Sequence, residues 1–147
     1  MSLVLPLRKL DRDPAPAPVP RTLHLDGSPL LEDWTTRVRE AAEAMLLVDA
    51  AGRLVALSPL TGQLLGLDPA SAVGVMLLDV VEVVDFSAAA VPVPDPDIQL
   101  PPLRALVSGR LNRGLVRLRS GPTLRSYDVV GIPLAESVGA VAFIAPV

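Results

Sequence analysis

Short apolar runs separated by glycine and proline run through this chain and predict a fold that mixes strands and helices. Two such runs, residues 45–49 and 53–58, flank Ala50-Ala51-Gly52 and predict a β-hairpin, because glycine readily takes the positive φ of a tight turn. Three further runs predict three more strands, at residues 114–120, 124–134 and 139–145. The pattern therefore predicts five strands.

A flanking helix is predicted over residues 28–45. Ser28 is a good cap and Pro29 suits the first helical turn. Apolar residues at spacings of three and four form one stripe, which consists of Leu31, Trp34, Val38, Ala41 and Met45. This stripe packs either on the protein's own domain or on a second copy. Because a large aromatic such as Trp34 is costly to leave in water, we favour the second copy and predict a symmetric homodimer.

Proline and glycine also mark short helices between the two groups of strands. Ser58-Pro59 and Asp68-Pro69 each begin a helical turn, and Gly66 and Gly74 end them. A longer helix begins at Pro101 or Pro102 and ends at Gly109. Residues 75–84 fit either a helix or a strand. Residues 87–99 are expected to form a loop, because Pro92, Pro94 and Pro96 cannot donate to a sheet.

Length, net charge and cysteine content exclude several classes of protein. The chain has 147 residues, a net charge of −3, no cysteine and one histidine, His24. The length fits one domain, predicted at residues 44–147, after a proline-rich tail at residues 1–27. An acidic balance gives no reason to expect nucleic acid, and no apolar run is long enough for a membrane helix. Absence of cysteine excludes disulfides and fits a cytoplasmic protein.

The order of predicted elements resembles that of sensory PAS domains from about residue 40 to 146. The matching positions are Asp49, Gly52, Gly66, Gly74, Leu78-Asp79 and Leu106-Val107-Ser108-Gly109. The resemblance implies an α+β fold with one antiparallel sheet in the order 2-1-5-4-3. Helices then lie across one face of this sheet and enclose a pocket or a filled core. It also implies a sensory or dimerisation module that passes a ligand- or partner-dependent signal to an effector domain or partner protein.

Several positions differ from the PAS pattern, and these differences indicate which ligands the chain is unsuited to bind. Many PAS domains have Asn where this chain has Ser58. Light-sensing flavin members need a cysteine, and haem-binding members commonly use a histidine in the long helix; this chain has neither, and few aromatic residues. We therefore expect no cofactor and either a filled core or a small apolar ligand. The predicted inner wall consists of Leu47, Leu57, Leu64, Leu78, Leu103, Leu106, Val107, Val116, Leu118, Val130 and Ile144.

No arrangement of residues indicates catalysis or a metal site, so the chain is not expected to be an enzyme. Asp95 and Asp97 resemble a carboxylate pair, but their proline-rich surroundings favour a solvated surface. Arg117, Arg119 and Arg125 form either the solvent face of a sheet or a patch that binds an anion or a partner. The alternative function is a non-sensory interaction domain of Roadblock or longin type, against which the cluster of short helices after Ser58 argues.

Overall fold

The computed structural model describes residues 29–147. The chain divides into two units, Met1–Glu32 and Asp33–Val147, and the second unit holds the sheet and its core. The helices are α1 (Pro29–Glu40), α2 (Pro59–Leu65), α3 (Pro69–Ala72), α4 (Leu77–Val80), α5 (Pro96–Gln99) and α6 (Pro101–Ser108). The strands are β1 (Met45–Asp49), β2 (Leu54–Leu57), β3 (Glu82–Val84), β4 (Asn112–Ser120), β5 (Thr123–Pro133) and β6 (Gly139–Pro146).

The strands form one antiparallel sheet in the order β2-β1-β6-β5-β4-β3. Without β3, this is the predicted order, so the predicted α+β architecture is confirmed. The short strand β3 adds a sixth member at the edge beside β4. The pairing of β1 with β6 joins the first half of the chain to the second, which contains the long β4–β5 and β5–β6 hairpins.

Most of the predicted helix ends are confirmed. Pro59 begins α2, and Gly66 ends it in the left-handed conformation with φ 65°. The Asp68 side chain accepts a hydrogen bond from the backbone N–H of Ala70 and so caps α3. Gly109 ends α6 with φ 69°. These positions were predictable because proline and left-handed glycine act locally, independently of tertiary packing.

One face of the sheet packs on the helices and holds the main core. Successive residues of a strand point to opposite faces, so Leu46 and Val48 of β1 lie in this core while Leu47 lies on the other face. Tyr127 is the largest side chain that is fully buried there. We call the helix-covered side the inner face and the opposite side the outer face.

The flanking helix is shorter than predicted. It ends at Glu40, so Ala41 and Met45 of the predicted stripe lie outside it, and Ser28 lies outside the described residues. The backbone N–H of Ile144 donates to the carbonyl of Ala44 at 2.9 Å. Pairing with β6 therefore takes this segment into the sheet and prevents the helix from continuing through Met45.

Residues 75–84 and 87–99 both contain short regular elements that the sequence did not clearly predict. The ambiguous residues 75–84 contain both α4 and β3. The predicted loop at residues 87–99 was partly wrong, because it ends in the helical turn α5. Pro96 opens this turn, where a missing N–H is harmless. The backbone N–H of Val93 also donates to the carbonyl of Val83, a bond that the neighbouring prolines leave intact.

Close contact between α6 and the sheet depends on Gly131 of β5. A Cβ at this position would lie 2.4 Å from the backbone carbon and oxygen of Pro101. On β4, a Cβ at Gly114 would meet only the Pro101 side chain, at 3.9 Å. Helix α6 therefore approaches the sheet more closely at Gly131 than any other residue would permit.

We predict that Gly131→Ala lowers the free energy of unfolding by at least the roughly 1–3 kcal/mol typical of overpacking, because the helix backbone must move. Urea unfolding measures this change. Gly114→Ala is the matched control and should change the stability much less. Equal effects of the two substitutions would show that the close approach at Gly131 does not matter.

Candidate functional site

The space between the inner face and the helices is filled by side chains. The void that remains has a volume of about 10 Å³, and apolar residues line it, among them Leu65, Leu118 and Val129. A void of this size is at most about as large as one water molecule needs. The inner core thus has no preformed space for a planar cofactor.

Most residues of the predicted inner wall lie in this core or pack against it. They are Leu57, Leu64, Leu78, Leu103, Leu106, Val116, Leu118 and Ile144. The structure therefore brings together residues from both halves of the chain, as the sequence indicated. That these residues line a site for a ligand stays a prediction.

Three residues of the predicted wall lie elsewhere. Leu47 and Val130 are on the outer face, because their neighbours Leu46, Val48 and Val129 occupy the inner one. Val107 is 80% exposed on α6. The alternation along β1 and β5 was therefore assigned one residue out of step, and such a slip moves a side chain to the opposite face.

A buried cluster of hydroxyl groups holds the junction between α1 and β1. Ser58 Oγ donates to the carbonyl of Glu43 at 2.6 Å and accepts from the N–H of Met45 at 2.9 Å. Thr61 Oγ1 donates to the carbonyl of Met45 at 2.8 Å and lies 3.1 Å from Ser58 Oγ. Both side chains are fully buried. We call this arrangement the Ser58 cluster; the sequence indicated only a cap at this position.

The other end of α2 is bound to the far side of the sheet by two more hydroxyl groups. Ser120 Oγ on β4 donates to the carbonyl of Leu65 at 2.5 Å, and Tyr127 Oη on β5 donates to the carbonyl of Leu64 at 3.2 Å. Burial raises the pKa of the Tyr127 hydroxyl, which favours the protonated form that donates this bond. Helix α2 thus connects β4 and β5 with the α1–β1 junction.

Two of the three arginines in the predicted anion or partner patch are bound to the segment between β3 and α5. Arg117 donates to the carbonyls of Asp85 and Ser87, at 3.2 and 2.6 Å. Arg119 donates to the carbonyl of Ala90 and pairs with Glu82. These arginines hold the segment against β4 rather than forming an open patch.

Carboxylates on and beside the outer face have their own partners. Hydrogen bonds from the side chain and backbone of Ser87 lower the pKa of Asp85. Arg113 on β4 and Asp128 on β5 form a two-armed ion pair, which the sequence pattern did not indicate. The hydrogen bond from Arg113 lowers the pKa of Asp128. The pairing could be predicted only from the register of the two strands.

The members of the predicted dimer stripe are in different environments. Trp34 is half-buried, and the guanidinium of Arg37 lies 5.2 Å from the centre of its ring. Leu31 and Ala41 are half-buried, whereas Val38 and Met45 are buried within the chain. Only part of the stripe is therefore accessible to a partner.

An open cleft of about 460 Å³ lies between α1 and α2. Its wall includes Arg39, Gln63 and Leu67. Among the described residues, no group of His, Asp or Glu side chains is placed to hold a metal ion. No helix in residues 29–147 is long and apolar enough to cross a membrane.

Comparison with known proteins finds similarity in structure alone. No family model matches the sequence. No curated protein matches it either. Among solved structures, the LOV protein of Rhodobacter sphaeroides is similar with a TM-score of 0.61 and 17% identity, over 80% of this chain and 66% of that one.

Two further structures widen this comparison. The PAS domain of the nitrogen regulation protein NR(II) from Vibrio parahaemolyticus has a TM-score of 0.55 at 13% identity, over 77% of this chain and 96% of that one. The E. coli DhaR(N)–DhaL complex has a TM-score of 0.53 at 10% identity, over 78% of this chain and 35% of that one. Strand order, the helices on one face and these similarities agree: the chain has the fold of PAS domains.

Proposed function

We propose that this chain is a sensory or dimerisation module in signal transduction, which passes a signal to an effector domain or a partner protein. The observation that carries the proposal is the continuous set of hydrogen bonds through α2. It joins Tyr127 and Ser120 on the sheet to the segment that connects α1 with β1. Structural neighbours come from a LOV protein, a nitrogen regulation protein and a complex of DhaR with DhaL, and this supports a role in signalling.

Helix α2 provides the coupling because its two ends are held by different parts of the fold. A shift of β4 or β5 moves the carbonyls of Leu64 and Leu65, and the helix carries this movement to Thr61. The Ser58 cluster then moves the backbone of Glu43 and Met45. Because these bonds are buried or partly buried, breaking them leaves polar groups poorly solvated and without partners, so the elements move together rather than separately.

The filled inner core favours a module without a cofactor. A ligand would need space that side chains now occupy, and close-packed cores open only at a cost in contacts. A small apolar ligand is the alternative, and it would require Leu65 and its neighbours to repack around the existing void.

A homodimer is the assembly that we propose. The half-buried ring of Trp34 and the exposed outer-face residues Leu115 and Phe143 offer apolar area to a second copy. Val38 and Met45 are already buried, so they belong to the protomer rather than to the interface.

The alternative of an interaction domain of Roadblock or longin type fits less well. Those folds have a helix between the second and third strands and more helix at the end. This chain has three short helices, α2, α3 and α4, between β2 and β3.

We predict that Ser58 and Tyr127 are energetically coupled through α2. In a double-mutant cycle of Ser58→Ala and Tyr127→Phe, the interaction energy should exceed the roughly 0.3–0.5 kcal/mol within which independent sites add. Urea unfolding supplies the free energies. Ser71→Ala replaces Tyr127→Phe in the control cycle, because Ser71 is exposed on α3 and bonds only locally. Additive effects of Ser58 and Tyr127 would rule out the proposed path.

We predict that the intact chain is a dimer in light scattering after size exclusion. Trp34→Ala should shift the mass towards that of a monomer, because it removes the large aromatic side chain from the interface. Trp34→Phe keeps an aromatic ring and should retain the dimer. A monomeric mass for the intact chain would refute the dimer.

We predict no visible absorption band in freshly purified protein after gel filtration, because the inner core has no space for a chromophore. Native mass spectrometry should give the mass of the polypeptide alone. A band that stays with the protein, or an added mass, would show that the core opens to admit a ligand.

A further inference from the structure

The surface at the C-terminal half of α6 has another cavity, of about 200 Å³, which we call the α6 hollow. It lies between α6 and the turn of the first hairpin, and its lining is mainly apolar: Ala50, Ala51, Gly52, Met76, Leu78, Asp97, Leu103, Leu106 and Val107. Val107 at its rim is 80% exposed, the highest value among the exposed large apolar residues of the described chain. Together with the apolar lining of the hollow, this side chain extends the apolar surface on which a partner side chain could pack.

The arrangement along α6 suits a partner with one protruding side chain. Leu103 and Val107 lie four residues apart and so form a ridge on one side of the helix. Gly52 of the hairpin turn lies against this ridge, and a Cβ there would be 3.4 Å from the Leu103 side chain, at van der Waals contact. The volume has room for one large apolar side chain from another molecule.

The charge in the lining of the hollow is negative. Asp97 is the only charged residue in its lining, and its carboxylate has no ion pair or hydrogen bond with any described residue. A neighbouring cavity of about 330 Å³ shares Leu106 with the hollow and contains the exposed side chain of Glu136. Among the described residues, none with a basic side chain lines either cavity.

Glu136 stands in a strained turn. Both Glu136 and Ser137 have positive φ, 61° and 58°, a conformation that residues other than glycine seldom adopt. Two such residues in succession strain the backbone, and strain of this kind clusters at ligand-binding sites. The turn keeps a free carboxylate at the edge of the apolar surface.

We propose that the α6 hollow binds a helical segment of another protein, with a large apolar side chain in the hollow and flanking lysine or arginine residues beside Asp97 and Glu136. The apolar hollow has room for the large side chain, which we call the anchor. The two unpaired carboxylates favour positively charged residues on either side of it. The proposal rests on the partner-binding role proposed above. The dimer mass and the double-mutant cycle do not involve the hollow, so failure of this proposal can be distinguished from failure of the proposed function.

Three synthetic helical peptides of one length test this proposal. They share an apolar stripe with one central Leu and differ only in whether the flanking residues are Lys, Gln or Glu. Titrated into the full ¹⁵N-labelled chain, the Lys peptide should shift the amide signals of Gly52, Asp97 and Val107. It should bind roughly two- to five-fold more tightly per carboxylate contact than the Gln peptide, as exposed ion pairs allow, and the Glu peptide should bind least.

Matched variants separate the anchor from the charges. Asp97→Asn should reduce the preference for Lys over Gln, whereas Val107→Thr should weaken both peptides roughly five-fold, since it removes an apolar contact without a change in size. Glu40→Gln and Val147→Thr are the controls, because both side chains are exposed and outside the hollow. Shifts confined to other surfaces, equal affinity for the Lys and Gln peptides, or no saturable shift would each overturn the proposal.

Discussion

The buried hydroxyl groups of Ser58 and Thr61 hold the junction between α1 and β1 against the start of α2, and the rest of the sheet is built on that junction. Strand β1 is short, and the segment before it must leave α1 and enter the centre of the sheet within a few residues. The cluster satisfies the carbonyl of Glu43 and both backbone groups of Met45 at that point. Each of these groups would cost about 1–3 kcal/mol if it were buried without a partner. The position of β1, and hence its pairing with β6, therefore depends on this cluster.

The fold was predictable wherever the determining residues act locally. Gly66 and Gly109 end their helices because left-handed backbone favours glycine, and Pro59 and Pro101 begin theirs for an equally local reason. Strand β3 was harder to predict, because its three residues follow α4 directly and become a strand only by pairing with β4. Helix α1 was overpredicted for the same reason. The apolar spacing continues past Glu40. The carbonyl of Ala44 nevertheless accepts a hydrogen bond from Ile144 of β6, so this segment joins the sheet instead of the helix.

The sequence predicted which residues are apolar enough to line the candidate site, but not which face of the sheet each one occupies. Strands β1 and β5 have apolar residues on both faces, so hydrophobicity alone cannot distinguish Leu46 from Leu47 or Val129 from Val130. The decision comes from tertiary packing, which brings Leu46 and Val129 into the main core and leaves Leu47 and Val130 on the outer face. Val107 was wrongly predicted to be in the inner wall. Apolar spacing along a short helix does not show which of its apolar residues are exposed to solvent. The Ser58 cluster was missed because its partners are backbone atoms that lie far away in sequence.

A filled core constrains how such a module could respond. A binding event shifts a conformational equilibrium only to the extent that it favours one state over the other. In this chain the inner core leaves about 10 Å³ between sheet and helices, so contacts that differ between states have to form at the surface or after repacking. Helix α6 lies between these two regions. Pro101 at its start contacts Gly131 of the sheet, while Leu103 contributes both to the core and to the exterior hollow. A partner bound at the hollow would therefore act on the same helix that the sheet positions, and β5 connects that helix with Tyr127, α2 and the Ser58 cluster.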